Sequence, residues 1–168
     1  MKHSGFSLIE LMMALVVLAI MVGTAIPSFQ SLMRDQRTSG MTNDLVSALH
    51  LARSEAVKRK QAVTVCRRAN LTDDPPTCAL DNATSYTVGW LVTTDDSDGS
   101  ATLRAWNAPA SNPVIEGPSG GVTFNSMGGV NAGGAFSLTM PGAPTDQERC
   151  VTISQTGRIH SAKGVACP

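Results

Sequence analysis

The sequence predicts an α+β protein, one long N-terminal helix packed on an antiparallel β-sheet domain. Three features of the chain dictate that class. Residues 11–26 carry no charge, and residues 6–29 carry only Glu10. Apolar residues then recur at Met41, Leu45, Leu49, Ala52 and Ala56, steps of three and four that align them on one helical face. Beyond residue 60 the pattern changes to short alternating segments broken by Gly, Pro and Asp-Gly, as in strands and turns.

Four stretches follow: 1–5, 6–28, 29–60 and a β-rich domain over 61–168. One helix plus one globular domain of about 105–110 residues is the natural content of such a chain. The 13 basic and 13 acidic residues balance, so the molecule as a whole attracts neither nucleic acid nor an anionic membrane strongly. Aromatics are sparse at 4%, while 15 Gly and 9 Pro suit strands and loops around a modest core.

Residues 6–29, as helix, reach about 36 Å at ~1.5 Å per residue, enough to cross a hydrocarbon core of ~30 Å. An unpaired carboxylate at the centre of such a span costs about 2.5–3.5 kcal/mol or more. Glu10 therefore needs a cation. Cleavage after Gly5 would create one, because the new α-amine of Phe6 lies four residues before Glu10 and on the same helical face. The amine of the same chain or of a neighbouring subunit meets that need. An ordinary secretory signal with Gly23-Thr24-Ala25 as its cleavage site is the alternative. Glu10 sits badly in its apolar core, and helical patterning resumes directly after Pro27. Lys2 is a weak positive-inside signal, since Arg34 and Arg37 follow on the other side.

Pro27 is expected to loosen or kink the helix. The stripe from Met41 to Ala56, flanked by Arg34, Arg37, Asp44, Arg53 and Glu55, is expected to pack on the sheet. His50 and Ser54 are one turn apart, but with no third partner they make no hydrolase. Lys58-Arg59-Lys60 ends the helix where cations complement its dipole.

Residues 62–67 predict the first strand, with Val63 and Val65 on one face. Residues 68–85 are a long loop, interrupted by Pro75-Pro76. Residues 86–93 and 101–106 predict a hairpin around Asp95-Asp96-Ser97-Asp98-Gly99. With Gly99 at the sixth position of a calcium loop, Thr94 and Ala105 fall at the two end-ligand positions, so an Asp-Gly turn is the better reading. Residues 107–121 are an exposed connection. Residues 122–124 and 135–140 alternate as strands, and residues 149–154 and 158–161 form the last pair around Gln155-Thr156-Gly157.

Cys66, Cys78, Cys150 and Cys167 all lie beyond the apolar segment. Four cysteines allow three pairings, and locality favours Cys66–Cys78 with Cys150–Cys167. No pair has zinc-ribbon spacing and the histidines are scattered. Disulfides in an oxidising, extracytoplasmic space follow, which sets the N-terminus in the cytoplasm and the domain outside. No nucleophile–base set, phosphate loop or metal cluster is present, so the sequence calls for no enzyme, no cofactor and no metal.

Gly5-Phe6-Ser7-Leu8-Ile9-Glu10-Leu11-Met12, with the apolar run and Ala25-Ile26-Pro27 behind it, resembles the N-terminus of type IV pilins and type II secretion pseudopilins. The resemblance implies a prepilin peptidase that cuts after Gly5 and N-methylates Phe6, and a subunit-docking role for Glu10. It also implies the type IV pilin fold, and a stay in the inner membrane before entry into a filament of major and minor pilins. Residues 48–57, Gly89-Trp90-Leu91-Val92, Leu103-Arg104, Ile153-Ser154 and Gly157-Arg158 are similar to the GspH/FimT/FimU family of minor pilins. That family implies a low-abundance subunit of a pilus-initiating or tip complex, and the related secretion pseudopilins share its fold.

Some members bind DNA for uptake through a C-terminal Gly-Arg-x-Arg. The matching stretch here is Gly157-Arg158-Ile159-His160. Arginine holds its charge, whereas His160 stands where the motif has its second arginine. Lys163, with Arg149 if the last strands pair, would add steady charge. Two or three phosphate contacts imply weak, salt-sensitive, sequence-independent binding.

Overall fold

The computed structural model describes residues 7–79, 81–96, 99–108 and 112–167, with the side chains of 24–28, 95–96 and 99–100 left aside. Among the described residues one α-helix, α1 (Leu8–Arg59), precedes eight strands. They are β1 (Val63–Arg67), β2 (Gly89–Asp96), β3 (Gly99–Asn107), β4 (Val114–Glu116), β5 (Val122–Phe124), β6 (Gly134–Thr139), β7 (Arg149–Ile153) and β8 (Ile159–Lys163). By contacts the chain divides into two units, Met1–Asp35 and Gln36–Pro168.

In the first unit the Ser7 carbonyl accepts hydrogen bonds from the amides of Glu10 and Leu11, both at 3.1 Å, and opens the helix. Glu10 lies in that first turn, where the unsatisfied amides of a helix N-terminus favour a carboxylate. The side chains from Leu8 to Val22 are exposed on every face.

In the second unit the helical stripe is buried as its periodicity demands, with Met41 at 2% and Leu45, Leu49, Ala52 and Ala56 at 0% exposure. Thr42 is buried too, and its hydroxyl donates to the Thr38 carbonyl at 2.8 Å, one turn back. Lys60 takes a left-handed conformation (φ 58°), and the Gln61 amide reaches back to the Ala56 carbonyl at 3.3 Å. That closing bond satisfies one of the carbonyls that a helix end leaves open. Arg59 and Lys58 both reach Glu55, at 2.6 and 3.6 Å. The hydrogen bond from Arg59 holds the Glu55 carboxyl below its ordinary range.

Two four-stranded antiparallel sheets stand where the sequence suggested one, in the orders β3-β2-β1-β5 and β4-β6-β7-β8. The division arises because β5 joins β1 while β6 pairs with β4 and β7; between the two sheets run residues 107–121, expected as a plain connection. They contain β4, which pairs with β6, and the chain then crosses back so that β5 pairs with β1. The crossing is tight. Gly121 has φ +85°, and a Cβ there would lie 2.2 Å from the Val65 carbonyl oxygen, so only glycine fits. The hairpin pairs out to Asp96↔Gly99; Ser97 and Asp98 lie outside the described residues.

Tyr86, expected to open β2, precedes it and is fully buried. Its ring meets Phe136 edge-on at 5.2 Å, and its hydroxyl donates to the Pro118 carbonyl at 2.8 Å. It therefore fastens the crossing segment to the second sheet. Burial pushes the phenol up to about 12, with the nearby Arg67 charge pulling the other way. Helix and both sheets share one core, to which Trp90, Phe124, Phe136, Ile115 and Val151 contribute.

Both disulfides close on the sheet faces turned away from that core. Cys66–Cys78 ties down the loop after β1, and Cys150–Cys167 ties the C-terminal segment to β7.

Candidate functional site

Two regions carry the residues that the sequence singles out. The first is the N-terminal helix. Leu15, Val16, Val17, Leu18 and Ile20 are each more than half exposed, and they lie on all sides of the helix. A helix apolar all round is stable only when lipid or other helices cover it. Glu10 is exposed at its head, while Gly5 and Phe6 lie outside the described residues. Among the described residues no helix is long and apolar enough to cross a membrane. The described side chains of the apolar run, residues 8–23, fall short of the ~20 that a span requires; the expected span also takes in Phe6 and residues 24–28.

The second region is the β7–β8 hairpin. Arg149 and Lys163 are direct cross-strand partners, so their side chains share a face. His160 is opposite Thr152, and three residues of strand put it on the other face from Lys163. Arg158 precedes β8 at the turn, about 16 Å of extended chain from Lys163 at ~3.3 Å per residue. The four residues are thus not one patch. Arg149 and Lys163 stand together at one end of the hairpin, and Arg158 stands exposed at the other.

The cation that the fold brings to the Arg158 turn is Arg53, from the helix. Its guanidinium donates to the Thr156 carbonyl at 3.3 Å. The 125–130 turn stacks beside it, with the Val130 amide donating to the Gln155 carbonyl at 2.9 Å. Sequence reading placed Arg53 only on the flank of the helical stripe. The available signal was the pair Gly128 and Gly157, which allow the two turns to approach.

Ser54 donates to its own helix, at the Leu51 carbonyl 2.9 Å away, rather than to His50. A cavity of about 380 Å³ on the outer face of the second sheet is lined by Thr84, Glu116, Ser137, Glu148 and Cys167 among others, with no histidine, lysine or arginine. Among the described residues no group of three or more His, Cys, Asp or Glu is placed to hold a metal ion.

The family model described as Type II transport protein GspH matches residues 41–157, and the prokaryotic N-terminal methylation motif matches residues 1–26. The chain belongs to the GspH family. As a GspH-family protein with a methylation motif it is a pilin-type subunit, of a type IV pilus or of a type II secretion system. Among solved structures it is similar to the type IV minor pilin FimU of Pseudomonas aeruginosa, with 23% identity over 77% of this chain and 90% of that one and a TM-score of 0.58. It is also similar to the minor pseudopilin EpsH of the Vibrio cholerae type II secretion system, with 14% identity, 79% and 98% coverage and a TM-score of 0.58. At these identities the likeness establishes the shared fold. No functionally curated protein matches the chain.

Proposed function

We propose that this GspH-family chain is a minor pilin of a type IV pilus, priming its assembly or sitting at its tip. The observation that carries the reading is the N-terminal helix, apolar on every exposed face and headed by Glu10. Such a surface needs lipid first and neighbouring helices afterwards. In this reading a prepilin peptidase removes residues 1–5 and methylates Phe6. Residues 6–28 then anchor the subunit in the inner membrane, with the N-terminus cytoplasmic and the globular domain periplasmic. On assembly the helix leaves lipid for the filament core among major and minor pilins. Glu10, costly if unpaired in an apolar medium, guides docking by pairing with a subunit's N-terminal amine. The work is mechanical, and no catalysis enters.

A minor pseudopilin of a type II secretion system is the competing reading, favoured by the description of the matching family model. The pair of local disulfides and the FimT-like residues around Gly157-Arg158 favour the pilus. DNA contact for uptake is a further part of the proposal. It is supported by the exposure of Arg158 and by Arg53 on the same turn, and only weak, sequence-independent binding is expected of so few cations.

Mass spectrometry of the mature protein combined with gene deletion tests the assignment. The expected result is loss of residues 1–5, a methyl on Phe6, and fewer surface pili with normal protein secretion in the deletion strain. Glu10→Val should still insert in the membrane but enter filaments poorly. An intact leader or cleavage near Ala25 would remove the pilin reading, and lost secretion with normal piliation would select the pseudopilin.

A further inference from the structure

The loop between β1 and β2, residues 68–88, carries two Asn-x-Thr triplets that the assembly reading leaves unused: Asn70-Leu71-Thr72 and Asn82-Ala83-Thr84. This triplet is the acceptor pattern for an N-linked glycan, and it marks a surface loop of an exported protein. The asparagines at 43, 107, 112, 125 and 131 have no Ser or Thr two residues on. Both that do are in one loop, and both are exposed, as are Thr72 and Thr84.

The local geometry suits the chemistry. The Asn70 Oδ1 accepts from the Thr72 amide at 3.0 Å, the Thr72 hydroxyl at 2.9 Å and the Asp73 amide at 2.9 Å. Three donors on one carboxamide oxygen draw electron density toward it, which acidifies the Nδ2–H and stabilises the imidate left when that proton is removed. The Nδ2 itself makes no hydrogen bond among the described residues. Leu71, between the two, is 60% exposed, so the triplet is not packed away. Asn82 is presented between two anchors. Arg67 forms an ion pair with Asp81 just before it, and the Thr84 carbonyl accepts from the Gly117 amide at 2.8 Å just after it. The same loop contains half of the Cys66–Cys78 disulfide, which belongs to the oxidising side of a membrane.

We propose that this loop is an N-glycan acceptor, with Asn70 and Asn82 as the attachment residues and a polyprenyl-diphosphate-linked oligosaccharide as the donor. A glycosyltransferase of that class would bring the anomeric carbon to the Asn Nδ2. The N–C bond forms as the C–O bond to the diphosphate breaks. The polyprenyl diphosphate leaves with the bonding pair, and the amide proton passes to the transferase's base.

Glycopeptide mass spectrometry of the full chain, purified from its own cells, tests the proposal in the wild type and in Asn70→Gln, Asn82→Gln and Thr72→Val. Glycan mass is expected on both asparagines, and each Gln variant should lose its own. Thr72→Val should lose the Asn70 glycan although Asn70 remains, the mark of a triplet read as a unit. Two unmodified asparagines would overturn the proposal. So would glycan mass that survives both Gln substitutions, which would put the sugar on hydroxyls instead. Disulfide mapping of the same digests shows whether each variant has folded, and their N-terminal peptide reports leader cleavage independently.

Discussion

Arg53, on the helix, donates through its guanidinium to the carbonyl oxygen of Thr156 at 3.3 Å, joining α1 to the β7–β8 turn across more than half of the chain. The contact is local in space and remote in sequence. A hydrogen bond from a charged donor contributes about 1.5–3 kcal/mol in protected settings, and partial exposure of this one lowers the figure. Arg53→Ala should destabilise the domain by about 1 kcal/mol, read as a lower urea midpoint at unchanged slope. Gly157→Ala should cost more, because Gly157 has φ +74° and a Cβ there would lie 1.9 Å from the Gly128 carbonyl oxygen. Equal midpoints for wild type and both variants would refute this account of the turn.

Tyr86 sets an alkaline limit. Its phenol, ordinarily near 10, is pushed up to about 12 by burial. The neutral form is favoured in the folded state, so the contribution is fully present below the unfolded value and is lost as pH rises from 10 through the folded value. A shift of that size corresponds to about 3 kcal/mol. It is the chain's one tyrosine, so its tyrosinate absorbance reports the site directly. The expected titration midpoint is near 12 in the folded protein and near 10 in urea, and Tyr86→Phe should flatten the stability profile over that window. A folded-state midpoint near 10 would contradict the burial argument.

The Cys150–Cys167 bond closes a segment of 17 residues, worth about 3 kcal/mol in the chain-entropy model. Replacing both cysteines with serine should lower unfolding stability by ~2–4 kcal/mol. Non-reducing peptide mapping should recover Cys66–Cys78 and Cys150–Cys167. Free thiols in protein taken from the periplasm, or stoichiometric zinc, would count against the pairing.

For DNA, the separation of the hairpin's cations makes a sharper test than their number. Duplex binding by residues 28–168 at low salt should weaken several-fold in Arg158→Gln, with a salt slope reduced by about 0.9 for each lost phosphate contact. Lys163→Gln should matter less, because Lys163 stands beside Arg149 at the far end of β8. An absence of wild-type binding at low salt would leave the assembly role alone.

Much of the architecture was legible in the chain itself. Met41, Leu45, Leu49, Ala52 and Ala56 spell one helical face, and the uncharged residues 11–26 spell a helix that needs a cover, because both signals come from spacing within a few turns. The alternation around Val63 and Val65 and around Phe136 and Leu138 marks strands for the same reason. What tertiary structure decided was pairing. Val114–Glu116 is too short and too plain to be read as a strand until β6 lies beside it, and β5 pairs with β1 while β6 pairs with β4 and β7, which makes two sheets of the expected one. The candidate site divides in the same way. Arg158, His160 and Lys163 are neighbours in sequence, yet the pleat puts His160 and Lys163 on opposite faces and the length of β8 parts Arg158 from Lys163. Arg53 reaches the Arg158 turn from 103 residues before its partner Thr156, because the distance that matters between charges and carbonyls is set by packing and not by position along the chain.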